Sequence, residues 1–228
     1  MKKIGCLLIH GFGGSVYEVS PLAEYLEDKG CRVICPTLKG HTGRKKDLRG
    51  ITYHDWLDSA EIALKELMQS HEQIIIIGFS MGGLIGINLA SKYKVNELIT
   101  INTPIYYWDF KRIYLNIVRD LQNKEYGNIR RYVKSSGNTT LSSLLHFKLL
   151  LTKTKPMIGN INCPVFVTQA LDDDTVRKQS AYYIHDRAES KRKKLRFYDH
   201  GGHLILRSPS ASKLMEDIWE CIKGGQRK

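Results

Sequence analysis

Gly78-Phe79-Ser80-Met81-Gly82 sets a serine between glycines, directly after the apolar run Ile74–Ile77 and before a stretch rich in small residues. A strand that turns abruptly into a helix crowds its turn residue. Glycines two before and two after remove side chains that would collide there, so the Ser80 hydroxyl projects at the carboxyl end of the sheet. It then faces the amino end of the next helix, whose free N–H groups favour developing negative charge. An alcohol is a weak nucleophile near neutral pH. It needs a base, the base needs an orienting carboxylate, and the oxyanion needs donors.

The chain offers candidates for each role, in the order nucleophile, acid, histidine. Of its eight histidines, His41, His54, His71, His146 and His185 lie in loops or helical patterns without special context. His203 closes the segment KKLRFYDHGGH, in a glycine-rich turn between the last apolar run and the last helix. It is the leading candidate base, with His200 as the alternative. The acid is expected in the loop after PVFVTQA, where Asp172, Asp173 and Asp174 are consecutive. Spacing does not choose among the three, and capping a helix amino end is a competing role for them. The expected oxyanion donors are two backbone N–H groups. One is that of Met81, and the other that of Phe12 in HGFGG, residues 10–14. This loop lacks the G-x-G-x-x-G spacing and no Lys-Ser/Thr follows it, which argues against a nucleotide-phosphate cradle.

Such groups must be positioned by a sheet. The runs Ile4–Ile9, Arg32–Cys35, Ile74–Ile77, Glu97–Ile101, Pro164–Thr168 and Leu195–Tyr198 are short and apolar without alternation, as parallel strands covered on both faces are. Helices are expected between them. Ser20-Pro21 starts one that Gly30 ends. Thr52-x-x-Asp55 has capping-box spacing, with Leu57, Ala60, Leu64, Leu67 and Met68 on one face behind it. Another runs from Gly82 to Tyr93, and Ser208-Pro209 opens the last, with Leu214, Ile218 and Ile222 inward. Alternating strand and helix imply an α/β domain with a mostly parallel sheet. The rhythm breaks over residues 103–162, where helical patterns at Ile113–Leu121 and Leu141–Leu151 imply a helical insertion. The core is then expected at residues 1–102 and 163–228.

The chain has 228 residues and a net charge of +12. Ten Lys/Arg against three acidic residues give the insertion a net +7. A charge run of this kind is read as a solvated face; nucleic acid is not expected as a partner, and weak contact of the basic insertion with anionic lipid surfaces is the version kept. Five cysteines, an odd number set mostly in apolar runs and without paired C-x-x-C spacing, suit reduced thiols in a cytoplasmic protein and predict no metal site. The N-terminal MKKIGCLLIHGFGG is too short in its apolar run for a signal peptide, and no stretch approaches a membrane span.

Together, HGFGG, Gly40-His41-Thr42, GFSMGG, QALDDD and the terminal GGH resemble the α/β-hydrolase superfamily. Within it, the chain looks most like small bacterial carboxylesterases of the monoacylglycerol lipase group. The resemblance spans nearly the whole chain and is weakest in the insertion. It implies an α/β-hydrolase fold with a helical cap at 103–162. It also implies a serine hydrolase that cleaves carboxylic esters through an acyl-enzyme, without cofactor or metal, as a monomer or homodimer. Ser80 matches the nucleophile, His203 the base, and Phe12 and Met81 the oxyanion donors. The acid motif, Gln followed four residues later by Asp, falls on Gln169 and Asp173. The family's usual Gly-His-Gly is Gly40-His41-Thr42 here, so that loop is expected to differ in shape. Tyr106, Tyr107, Trp108, Leu144, Leu145 and Phe147 of the insertion are expected either to line an acyl pocket or to pack the cap onto the sheet. Thioesterase, amidase, lactonase or haloperoxidase chemistry, or binding without catalysis, would use the same scaffold.

Overall fold

The structure, a computed structural model, describes residues 3–106 and 140–225. Six strands form one parallel sheet: β1 (Ile4–Ile9), β2 (Arg32–Ile34), β3 (Gln73–Phe79), β4 (Glu97–Ile101), β5 (Val165–Ala170) and β6 (Lys193–Tyr198). Their spatial order is β2-β1-β3-β4-β5-β6, and every neighbouring pair runs parallel. All six expected strands are present. β3 is longer than expected and carries its pattern to Phe79, while β2 stops short of Cys35.

Alternate strand residues point to opposite faces, so each strand feeds two cores. Cys6, Leu8, Ile75, Ile77, Ile99 and Phe166 pack under α1 (Ser20–Asp28) and the C-terminal helix α6 (Ala211–Gly225). Leu7, Ile9, Ile74, Ile76, Leu98 and Val167 pack on the other face, with α2 (Tyr53–Ser70), α3 (Met81–Lys92), α4 (Leu141–Thr154) and α5 (Gln179–Arg187). Burial on both sides is why these strands read as unbroken apolar runs.

Helix signals held in part. Thr52 and Asp55 form the expected reciprocal capping box. On α2, however, Trp56 and Ala63 join Ala60, Leu64 and Leu67 in the core, while Met68 is exposed and Leu57 only half-buried. The buried stripe is thus rotated toward the indole, the largest apolar surface on the helix. Ser20 lies inside α1, not at its cap, and α6 starts at Ala211, beyond Ser208-Pro209. Leu214, Ile218 and Ile222 do point inward.

Of the expected insertion, Tyr107, Trp108 and Ile113–Leu121 lie outside the described residues. The described part is continuous with the core. Leu150, Leu151, Ile158 and Ile161 belong to the α2/α3 cluster, and Asn88 of α3 donates to Thr154 Oγ1 at 2.6 Å. No helix among the described residues is long and apolar enough to cross a membrane.

The strand order places the site. The chain leaves β1 toward the edge strand β2 and returns to pair β3 on the other side of β1. The loops after β1 and β3 therefore diverge, leaving a crevice at their carboxyl ends. HGFGG follows β1 and Ser80 follows β3.

Candidate active site

Ser80 sits between β3 and α3 with φ 51° and ψ −121°, a left-handed conformation unusual for a residue with a side chain. Its N–H donates to Ile101 O at 2.8 Å, and its carbonyl accepts from Gly83 N–H at 2.9 Å, so both peptide groups fix the turn. The flanking glycines are sterically required. A Cβ on Gly78 would lie 2.3 Å from Gly82 O, and one on Gly82 would lie 2.1 Å from Ile9 O. Here the strand, the turn and the neighbouring strand approach too closely for any side chain.

Across the crevice, His203 Nε2 lies 3.1 Å from Ser80 Oγ. Its Nδ1 lies 2.9 Å from Asp173 Oδ2. Since a carboxylate only accepts, Nδ1 carries the proton, and in the neutral imidazole Nε2 then accepts from the serine hydroxyl. The Asp173 side chain is fully buried and that of His203 nearly so. The Phe79 ring packs 5.2 Å from the imidazole, centroid to centroid, and restricts its rotation. Three groups far apart in sequence thus form one hydrogen-bonded chain. His200 is exposed, and its carbonyl accepts from Ser210 Oγ.

The three consecutive aspartates divide. Asp173 Oδ1 accepts from Thr175 and Val176 N–H at 2.8 and 2.9 Å, and Oδ2 takes Gln169 Nε2 at 3.3 Å beside the imidazole. Asp172 Oδ1 instead accepts from Gly201 and Gly202 N–H, at 2.9 and 2.7 Å, and so ties down the turn that carries His203. Asp174 is buried and accepts from Thr175 Oγ1 at 2.9 Å.

Met81 is the first residue of α3 and fully buried, so its N–H belongs to the unpaired helix amino end beside Ser80 Oγ. The Phe12 ring is wedged among Trp56 (5.6 Å), His41 (6.2 Å) and Phe147, which stacks on it at 5.2 Å. His10 anchors the start of the same loop. Its Nδ1 donates to Gly11 O at 2.9 Å, while Nε2 accepts from Leu38 N–H at 3.2 Å. Burial holds its pKa down to about 4, so it is a neutral strut. Of the insertion residues expected to line a pocket, Phe147 meets the HGFGG loop, whereas Leu145 and Tyr106 are exposed.

Asn102 was not read from the sequence, and His41 and Thr42 were read only as part of the Gly40-His41-Thr42 motif. His41 is buried against His10 and Trp56, and burial lowers its pKa. Thr42, at the position where the resembling family has glycine, closes its loop by donating to Asp47. Asn102, at the end of β4, is fully buried with φ 48°. Its Nδ2 donates to Gly202 O (3.0 Å) and His203 O (2.8 Å), while Oδ1 accepts from Ala170 N–H (2.8 Å). It thereby joins β4, β5 and the histidine turn. Asparagine directly after an apolar strand was its only sequence signal, since asparagine tolerates the left-handed region.

A family model described as alpha/beta hydrolase fold matches residues 7–136. The chain belongs to this family. It is 23% identical over 224 residues to a carboxylesterase of Bacillus subtilis (strain 168), covering 95% of this chain and 91% of that protein. It is 29% identical over 207 residues to a thermostable monoacylglycerol lipase of Bacillus sp. (strain H-257), covering 84% and 79%. Among solved structures, one from a study of two metagenome-derived lipolytic enzymes superposes with a TM-score of 0.82 at 18% identity, over 98% of this chain and 94% of the other. This α/β hydrolase therefore shares its overall fold with that structure.

Proposed function

We propose that the chain is a serine carboxylesterase acting on short- to medium-chain acyl esters or monoacylglycerols through an acyl-enzyme. The observation that carries this reading is the Asp173–His203–Ser80 chain, with contacts of 2.9 and 3.1 Å at the carboxyl edge of the sheet. Membership of the α/β hydrolases, and relatives named carboxylesterase and monoacylglycerol lipase, support it.

In this mechanism Ser80 Oγ attacks the ester carbonyl while His203 Nε2 takes its proton. Asp173 keeps the imidazole in the right tautomer and stabilises its charged form. The N–H groups of Phe12 and Met81 receive the oxyanion; losing one such donor in a comparable hydrolase costs about 10²–10³ in kcat. His203 then protonates the departing alcohol. Water, activated by the same imidazole, attacks the acyl-Ser80 ester and releases the acid. The strained φ of Ser80 keeps Oγ at the head of α3, facing His203 across the crevice.

Residues 103–162 would form the cap over this crevice. The end of that segment is anchored in the core by Leu150 and Ile158, and Phe147 contacts the oxyanion loop. Its basic surface would favour a weak approach to anionic lipid. The five free cysteines fit a reducing, cytoplasmic setting.

The test is chain-length profiling with p-nitrophenyl esters and monoacylglycerols, with Ser80→Ala as control and a fluorophosphonate probe as active-site label. Turnover that disappears with Ser80→Ala supports the reading. Turnover that survives in Ser80→Ala, or a wild-type protein inert to both esters and probe, refutes it.

A further inference from the structure

Glu18 closes a single 3-10 turn, Val16–Glu18, at the rim of the Ser80 crevice. Its Oε2 accepts the N–H of Gly11 at 2.9 Å. Gly11 precedes Phe12, and it is sandwiched. A Cβ on Gly11 would lie 3.1 Å from Glu18 Oε2 and 3.3 Å from Ser80 Cβ. One glycine thickness therefore separates this carboxylate from the nucleophilic residue. Gly14, at the far end of the loop, is bare for a related reason: a Cβ there would lie 2.2 Å from the Glu18 carboxyl carbon. The carboxylate lies across the HGFGG loop only because Gly14 leaves it room.

The turn that carries Glu18 is held from the other side by the histidine loop. The Arg207 guanidinium stacks on the Tyr17 ring, 3.3 Å from its centroid. Its Nε donates to Tyr17 O at 2.8 Å, and its Nη2 donates to Ser20 Oγ at 2.9 Å. Tyr17 and Ser20 bracket Glu18 in sequence. Arg207 itself follows His203 by four residues, in the next 3-10 turn. The oxyanion loop and the histidine turn are thus clamped to one another through residues 17–20.

We propose that Glu18 is a positioning residue of this site: by holding the Gly11 N–H it fixes the loop that presents the Phe12 N–H beside Ser80. The inference rests on the esterase reading above and adds a residue to it. Among the described residues, His203 acts on the Glu18 carboxyl from across the crevice, His10 precedes the Gly11 that Glu18 holds, and Arg207 packs on the turn that carries it. Burial raises the Glu18 carboxyl above its ordinary pKa, while the Gly11 N–H and His203 pull it back. The carboxylate and the His203 imidazolium therefore stabilise one another, which gives the residue an electrostatic signature in addition to its geometric one.

The experiment compares Glu18→Ala, Glu18→Gln and Gly14→Ala with the wild type. Gly14→Ala leaves the carboxylate in the chain but evicts it from the loop. The evicted atoms are the end of a flexible side chain, so the fold is expected to tolerate the change. Readouts are kcat and KM on a neutral p-nitrophenyl ester, the pH profile of kcat/KM, the rate of Ser80 labelling by a neutral fluorophosphonate, and thermal unfolding. Glu18→Ala and Gly14→Ala are each expected to lower kcat about 10- to 100-fold, short of the about 10²–10³ lost with a whole oxyanion donor. KM should change little, labelling should slow in parallel, and the double variant should be no worse than the worse single one. Glu18→Gln keeps an acceptor for the Gly11 N–H and should recover most of the loss. The acid limb of its pH profile should move to lower pH, because the imidazolium has lost a neighbouring anion. Wild-type kcat in Glu18→Ala, an additive double variant, or an unmoved acid limb in Glu18→Gln would overturn the role of Glu18 while leaving the esterase reading standing. A wild-type protein inert to ester and probe would overturn both.

Discussion

Replacing Asp173 by asparagine separates the proposed roles of the three adjacent aspartates. Both Asp173 oxygens are surrounded by donors: Thr175 and Val176 N–H on Oδ1, His203 Nδ1–H and Gln169 Nε2 on Oδ2. An amide has one acceptor and must turn its NH₂ to one side. If its oxygen stays on the backbone pair, its NH₂ faces His203 Nδ1, and the imidazole must shift its proton to Nε2. It can then no longer take the proton of Ser80. A tautomer trapped in this way costs about 10⁴ in kcat, or about 5 kcal/mol of transition-state stabilisation. The new clash with the Gln169 amide should cost about 1–3 kcal/mol of stability, as for any buried group facing the wrong partner. Asp172→Asn is the control. Its Oδ1 alone holds Gly201 and Gly202 N–H, and an amide oxygen can do the same, so kcat should stay within about threefold of the wild type. The assay is kcat on p-nitrophenyl butyrate, with thermal unfolding to count folded enzyme. If Asp173→Asn kept more than about a tenth of wild-type kcat while Asp172→Asn lost most of it, the tautomer argument would be wrong and the acid would be Asp172.

Other outcomes follow from the same geometry. Asn102→Gly suits the φ of 48° but drops three hydrogen bonds; it should lower kcat through a loosened His203 turn, and Asn102→Ala should unfold at lower temperature than Asn102→Gly because it keeps about 1 kcal/mol or more of backbone strain. Gly82→Ala drives a Cβ to 2.1 Å from the Ile9 carbonyl, a backbone atom that cannot swing away, so folded yield and activity should fall together, as measured by circular dichroism and probe labelling. His10, whose folded pKa of about 4 lies below its unfolded value near 6.5, makes a stability contribution that is complete above about pH 6.5. Below that pH the unfolded chain takes up a proton that the folded chain refuses. Urea unfolding should therefore lose up to about 3 kcal/mol between about pH 6.5 and 4, and a His10→Gln variant should lack that part of the slope.

Much of this site is visible in local sequence because each catalytic candidate sits where a strand ends, and strand ends are marked by strong local signals. Four isoleucines running into Gly-x-Ser-x-Gly specify a strand, a strained turn and a helix within one short segment. The same holds for HGFGG after β1 and for GGH after β6. The residues whose roles the sequence did not show act through contacts made across the fold. Asn102 is one polar residue after a strand until β5 and the His203 turn close around it. His41 looks like a loop histidine until Trp56 and His10 bury it. The rotated stripe of α2 has the same origin, since periodicity located a helical face but the fit of the Trp56 indole chose its orientation.

The order of apolar runs and glycine turns along the chain by itself determined a parallel sheet flanked by helices, with Ser80 at a strand-to-helix turn, an acidic triplet after β5 and a histidine after β6. The sequence favoured His203 over His200 and the resemblance pointed to Asp173, but that these two meet each other and Ser80, and that Glu18 and Arg207 hold the turns beside them, was decided only in three dimensions. Strand identity is written in burial and period, which are local. The pairing of side chains from 30 to 190 residues apart depends on how the sheet brings its carboxyl ends to one edge, and no spacing along the chain encodes that.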